Sequence, residues 1–291
     1  MLTAYAQLAA SMIMVGANVA VAKHLADALP IVLILGLRCL ITSAVLLPLM
    51  LWRDGAIRPA PRVLLNFLLQ ALFGTVLYNV ALLTGLRLTT ALQGGLVLAT
   101  IPAVVALGSA IWLRERITAR GWASVVLASV GMAAVVLARS PGGEGGSVLG
   151  SAFIFLAVCG EAAYVLLAKR SVGALPLLSA SFWMQAFSAL LILPAWIPVA
   201  GAASRLADPA LLALLIFHAL TSSLLAVLLW YGGLRRAPAG TAGVFTAFLP
   251  ATAAVTAILF LGEEPTPAHG LGFLLLLASM ILATWPSRSP H

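Results

Sequence analysis

The chain has 291 residues, of which 63% are hydrophobic and 8% charged, with a net charge of +8 at neutral pH and a mean hydropathy of +1.12. A water-soluble surface needs a larger charged fraction, so this composition excludes a soluble globular protein and points to a fold whose solvent is lipid. The basic residues are scattered through short stretches and form no patch with interleaved aromatics, which argues against nucleic acid as a partner.

Apolar stretches of about 20 residues, each long enough to cross a hydrocarbon core as a helix, recur at residues 3–22, 31–51, 63–84, 90–113, 121–138, 148–168, 177–199, 210–233, 240–261 and 268–285. Barrel strands would be about half as long and would alternate polar with apolar. The prediction is an all-α integral membrane protein of ten transmembrane helices. The first stretch has no basic residue before Lys23 and no cleavage site leading into a soluble domain, so it reads as a retained helix.

Taken in order, the stretches carry a sparse polar set. Span one holds Asn18, and span two holds Arg38 beside Cys39. In span three, Asn66, Gln70, Gly74 and Tyr78 step by four, with Asn79 alongside, which places them on one helical stripe. Span four begins near Gln93 and contains Pro102, and span five carries the small residues Gly121, Ser124, Ala128 and Gly131. After the glycine-rich segment 141–146, span six holds Cys159, Glu161 and Tyr164, and span seven holds Trp183 and Gln185. Span eight carries His218, Ser222, Ala226 and Trp230 at four-residue steps, then Tyr231. Span nine runs from Thr241 past Phe245 and Phe248 to Pro250, and span ten carries Gly270, Gly272 and Ala278.

The two halves match. A shift of 146 residues places Lys23 on Lys169, Leu29-Pro30 on Leu175-Pro176 and Leu47-Pro48 on Leu193-Pro194. A shift of 148 carries Gly85-Leu86-Arg87 onto Gly233-Leu234-Arg235, Pro102 onto Pro250 and Glu115 onto Glu263. Each half, 1–140 and 141–291, holds an odd number of spans, so the second enters the membrane inverted relative to the first, the arrangement that suits alternating access. With loops alternating sides, eleven of the sixteen basic residues fall on one side: Arg53, Arg58, Arg62, Arg114, Arg116, Arg120, Lys169, Arg170, Arg235, Arg236 and Arg288. The positive-inside rule then puts both termini of this multi-pass inner-membrane protein in the cytoplasm.

On these marks (the paired Gly-Leu-Arg, the paired prolines, and Leu113-Arg114-Glu115 matched by Leu261-Gly262-Glu263) the chain resembles the ten-helix EamA-type branch of the drug/metabolite transporter superfamily. More narrowly, it is similar to the YddG-type bacterial amino-acid exporters. The resemblance implies cytoplasmic termini, a cavity between the halves, and export of aromatic and other neutral amino acids. Related carriers move nucleotide sugars, purine derivatives and drugs, and these remain the alternative substrates.

Polar side chains facing hydrocarbon are costly, so those inside spans mark faces turned to protein or to a wet cavity. The expected cavity set is Asn18, Arg38, Gln70, Tyr78, Asn79, Gln93, Glu161, Tyr164, Gln185, His218, Ser222, Trp230, Tyr231 and Thr241. The competing expectation for any one of them is an interhelical hydrogen bond, worth about 0.6 kcal/mol. Arg38 and Glu161 each cost about 2.5 to 3.5 kcal/mol to insert unless paired or hydrated. A carboxylate for an ammonium group and a guanidinium for a carboxylate are a sufficient pair for a zwitterion, and Glu161 is equally suited to carry a coupling proton. Pro102 and Pro250 each remove a backbone hydrogen bond and are the expected bends and gates. Trp52, Trp112, Trp122 and Trp285, near span ends, read as interfacial anchors.

The sequence carries no phosphate-binding lysine loop, nucleophile elbow or clustered metal ligands, so neither ATP-driven pumping nor an enzyme is expected. The two cysteines lie in apolar runs and make no disulfide framework. No metal or cofactor is implied; the expected partners are a small-molecule substrate and the lipid bilayer, with the protein a monomer.

Overall fold

The computed structural model describes residues 1–88, 97–139, 147–261 and 267–284, and no strand occurs among them. The first half runs α1 (Leu2–Ala17), α2 (Val19–Ala28), α3 (Ile31–Arg53), α4 (Pro61–Ala71), a π-helical segment Leu72–Leu77, α5 (Tyr78–Leu88), α6 (Ile101–Trp112) and α7 (Ala119–Arg139). The second runs α8 (Val148–Arg170), α9 (Leu177–Ile192), a 3-10 segment Leu193–Ala207, α10 (Pro209–His218), a second π-helical segment Ala219–Leu225, α11 (Ala226–Leu234), α12 (Ala239–Phe245), α13 (Phe248–Leu261) and α14 (Pro267–Thr284). Six helices among the described residues are long and apolar enough to cross a membrane: Leu2–Ala28, Ile31–Arg53, Pro61–Gly85, Val148–Arg170, Leu177–Ala207 and Pro209–Leu234. Ile101–Trp112, Ala119–Ala134 and Gly270–Thr284 are shorter apolar helices.

Several of these elements start where a proline or a cap dictates. Pro30 and Pro176 sit at the N-caps of α3 and α9. Pro61 and Pro209 open α4 and α10, where a missing N–H costs nothing. The Asp208 carboxylate accepts from Ala210 N–H at 2.9 Å, and Ser147 Oγ from Gly150 N–H at 3.3 Å.

The expected continuous spans 90–113 and 240–261 are not continuous. Turns interrupt the chain at 99–100 and at 246–247, so Pro102 lies in the first turn of α6 and Pro250 in the first turn of α13. A proline nitrogen cannot bond the carbonyl four residues back, and here those carbonyls belong to Leu98 and Thr246, which occupy equivalent positions under the 148 shift. The chain tightens instead: Thr246 N–H reaches Gly243 O at 3.2 Å and Leu249 N–H reaches Thr246 O at 3.1 Å. The expected bends are thus breaks placed just before each proline. In the first turn a proline needs no N–H, so Pro102→Ala is expected to shift thermal unfolding in detergent by less than about 1 kcal/mol.

The two π-helical segments fall at equivalent positions, 72–77 mapping onto 220–225. In both, side-chain donors take carbonyls that an α-helix would bond. Thr221 Oγ1 donates to Phe217 O at 2.7 Å, Ser222 Oγ to His218 O at 2.7 Å, and Asn79 Nδ2 to Thr75 O at 2.6 Å.

Packing follows the repeat. α1 packs on α11 and α13, as α8 packs on α5 and α6; α3 and α9 pack together, as do α7 and α14. Close approach is permitted by glycine. A Cβ on Gly85 would lie 2.8 Å from Gly150 O in α8, and one on Gly233 would lie 2.8 Å from Ala4 O in α1. Gly150 and Ala4 are themselves 146 residues apart.

One end of the bundle gathers the connections 53–61, 113–119, 170–177 and 234–239, which carry or adjoin most of the arginines, and is called the basic end below. Trp52, Trp112 and Trp122 are exposed at helix ends there, and the Arg170 guanidinium lies 5.7 Å from the Trp112 ring centroid. At the opposite end, the 3-10 segment is tied to the first half by Trp196 Nε1 donating to Val32 O at 3.2 Å and Arg205 donating to Ala28 O at 2.5 Å.

Candidate functional site

A cavity of about 410 Å³ lies at mid-height of the bundle, within the size range of small-molecule sites. Its wall takes Ser11, Met12 and Val15 from α1, Arg38 and Cys39 from α3, and Gly74, Thr75, Tyr78 and Asn79 from the first π segment and α5. The second half contributes Glu161 and Tyr164 from α8, Met184 and Gln185 from α9, and Ser222, Ser223, Ala226, Val227 and Trp230 from the second π segment and α11. Leu98, Ile101, Met132, Thr246 and Leu249 complete an apolar side, so residues flanking both helix breaks face the cavity.

Gly74 is part of this geometry. A Cβ there would lie 2.7 Å from Tyr164 Cγ, so only glycine lets the tyrosine ring reach the π segment. The π segments are fixed across the halves by Thr42 Oγ1 donating to Ala219 O at 3.3 Å and by a 3.0 Å hydrogen bond between the Thr75 and Ser188 hydroxyls. Thr42 and Ser188 are related by the 146 shift. Gln185 Nε2 donates to Ser223 O at 3.1 Å.

The two intramembrane charges share the cavity wall without pairing with each other. Among the described residues Glu161 makes no hydrogen bond or ion pair, and Arg38 Nε is buried without a partner. A wall with a carboxylate and a guanidinium that meet no opposite charge among the described residues, and an apolar side of methionine and leucine, is chemically able to hold a molecule with a charged head and an apolar body.

Eight of the expected residues line this cavity: Arg38, Tyr78, Asn79, Glu161, Tyr164, Gln185, Ser222 and Trp230. Others are placed elsewhere. Asn18 and His218 are buried against one another, with His218 Nδ1 3.1 Å from Asn18 Oδ1, which also accepts from Thr221 Oγ1 at 3.1 Å. Gln70 and Tyr231 lie one turn from the wall toward the basic end, bonded to each other. Thr241 lines a separate cavity of about 120 Å³ at the basic end, beside Glu115, Arg116 and Arg120. Gln93 lies outside the described residues, as do Glu263, Arg288 and Trp285. Wall residues not expected include Met12, Met132, Met184, Thr75, Ser223 and Thr246. Thr75 and Ser223 are the pair next to Gly74 and Ser222 in the repeat, a signal present in the sequence; the methionines carry none, because a methionine in an apolar span reads as lipid-facing or core.

The profile of the EamA-like transporter family matches residues 2–137 and again residues 148–285. The chain is 31% identical over 292 residues to the uncharacterized transporter YetK of Bacillus subtilis (strain 168), an alignment covering 99% of this chain and 88% of that protein. A solved crystal structure of a protein superposes with a TM-score of 0.78 at 20% identity over 95% of each chain, a likeness of fold. With both halves matched by one family and a relative aligned along nearly its whole length, the chain belongs to the EamA-like transporter family.

Proposed function

We propose that the protein exports neutral amino acids, aromatic ones among them, from the cytoplasm through an inner membrane by alternating access, with the substrate in the central cavity. The observation that carries this reading is the single wall shared by Glu161 and Arg38, each without a protein partner for its charge among the described residues and both facing the space bounded by Met12, Met132, Met184 and Leu249. The ammonium group faces Glu161, the carboxylate faces Arg38, and the side chain lies against the methionines, which adapt to different shapes. A nucleotide sugar would ask for several cations around its phosphates, and Arg38 is the one arginine or lysine on the wall among the described residues.

Alternating access is supported by the pairing of devices across the halves: the glycine contacts at 85 and 233, the π segments, and the breaks before Pro102 and Pro250. In this reading ten spans form two inverted five-helix repeats, 1–140 and 141–291, the two breaks are the pivots, and the protein acts as a monomer. The basic end, which also holds the α1 contact with Gly233, faces the cytoplasm with both termini.

The test is uptake into proteoliposomes of labelled neutral amino acids, a nucleotide sugar and a cationic dye, with and without a proton gradient. Saturable uptake of the amino acids alone is expected. Uptake of the dye or of the nucleotide sugar with none of the amino acids would overturn the substrate assignment, and a strict requirement for the gradient would add proton coupling to the mechanism.

A further inference from the structure

The layer between the cavity and the basic end is built differently from the rest of the bundle. Phe67, Val105, Val165, Leu166, Leu234 and Phe245 fill it as a continuous apolar core, and one polar chain threads it. Gln70, fully buried, accepts from the Tyr231 hydroxyl at 2.5 Å and donates through Nε2 to Ser171 Oγ at 3.1 Å and Asn66 Oδ1 at 2.5 Å. Tyr231 is also buried, follows the wall residue Trp230 in sequence, and neighbours the wall residue Tyr164. The chain therefore leads from the cavity wall of the second half to a glutamine of the first.

Two further contacts near the same end also cross from first half to second. The Glu115 carboxylate accepts from Ala239 N–H at 2.9 Å and Gly240 N–H at 3.1 Å. Asp54 accepts from Ser179 N–H at 3.0 Å and Ser179 Oγ at 2.7 Å. Lys169 fixes the connection that Glu115 grips, donating to Leu234 O at 2.9 Å and Ala237 O at 2.6 Å. Opening the cavity toward this end requires the group packed on α8 (α4, α5 and α6) to part here from the group packed on α1 (α11 and α13), which breaks Gln70 from Tyr231 and Glu115 from the start of α12.

We propose that the Gln70–Tyr231 pair, braced by Glu115 and Asp54, is the gate that closes the cavity toward the basic end, and that the structure is the state in which this gate is shut. The proposal rests on the transport reading above and adds to it which residues hold one of the two closed states. Fully satisfied polar pairs inside an apolar layer are suited to this task, because a half-open arrangement leaves each buried partner unpaired, so the layer is either joined or separated.

The test uses thiol accessibility, which needs no substrate, so its outcome is independent of which solute is carried. Cys39 and Cys159 are replaced by Ser, Val227 on the cavity wall is replaced by Cys, and a membrane-impermeant maleimide is applied to right-side-out and to inverted vesicles. Tyr231→Phe, which keeps the ring and removes the hydroxyl, and Glu115→Gln are compared with this parent, each checked for equal yield and a monodisperse profile in detergent. Both are expected to raise the labelling rate from the basic end by about tenfold, the population shift that one lost buried hydrogen bond produces. Labelling from the basic end that is as slow in both variants as in the parent would overturn the gate.

Discussion

Glu161→Gln is expected to lower the apparent affinity for zwitterionic amino acids by about two orders of magnitude, and Arg38→Gln to do the same, with the fold retained in both. Each group lines the cavity and neither is matched by an opposite charge in the described protein. In the proposed reading the substrate is the partner that compensates their burial. Removing one member of a desolvated charge pair typically costs about 2 to 5 kcal/mol, and about 1.4 kcal/mol is a factor of ten in affinity. The glutamine variants keep size and hydrogen-bonding capacity, so the loss isolates charge. The concentration dependence of uptake in proteoliposomes is the readout, and a change below threefold in both variants would remove the charge-matched site. The two variants should also differ in kind: Glu161→Gln should spare a ligand lacking the ammonium group, and Arg38→Gln one lacking the carboxylate.

Gly85→Ala and Gly233→Ala are expected to destabilise the protein strongly and to similar degrees, by about 2 to 3 kcal/mol each. In both, the new methyl meets a backbone oxygen at 2.8 Å, Gly150 O in one and Ala4 O in the other, and a backbone atom cannot rotate away as a flexible side chain can. The helices must separate, which loosens α5 from α8 or α1 from α11. Gly270→Ala is the control, since a Cβ there meets nothing within 4 Å. Melting temperature in detergent is the measurement. Equal losses at 85 and 233 with none at 270 are expected; a loss at one site alone would show that the paired contacts are not equivalent in energy.

Much of the helix inventory was legible because hydropathy in a membrane chain is a direct record of which segments meet lipid, and the prolines at 102 and 250 announced the two interruptions. Their exact form was not legible. A mid-span proline predicts a bend, but here the helix ends before it, the Thr246 carbonyl being taken by Leu249 N–H in a tightened turn, and the proline falls in the first turn of the next helix. The polar stripes were half right for a related reason. Asn66, Gln70, Gly74 and Tyr78 share a face only if the helix keeps its ordinary period, and a π segment intervenes from Leu72 to Leu77. Gly74 and Tyr78 reach the cavity, while Gln70, one turn nearer the basic end, bonds Tyr231. The same happens around 219–225, where Ser222 and Trp230 reach the wall and His218 remains with Asn18. Nothing in the residue pattern announces a π turn, because the side-chain donors that accompany it, the Asn79 amide at one segment and the Thr221 and Ser222 hydroxyls at the other, are residue types that also occur in ordinary helices. Arg38 and Glu161 stood out in sequence by cost alone, and that criterion needs no periodicity.

The central claim is that one cavity recognises both charges of an amino acid at once. Counterflow measures this most directly: proteoliposomes loaded with an unlabelled neutral aromatic amino acid, labelled amino acid outside, and as competitors the corresponding amine without a carboxylate and the corresponding acid without an amine. The account predicts that the zwitterion drives accumulation of label and that neither single-charge analogue competes at equal concentration. Accumulation driven or blocked equally well by the amine or by the acid would contradict it.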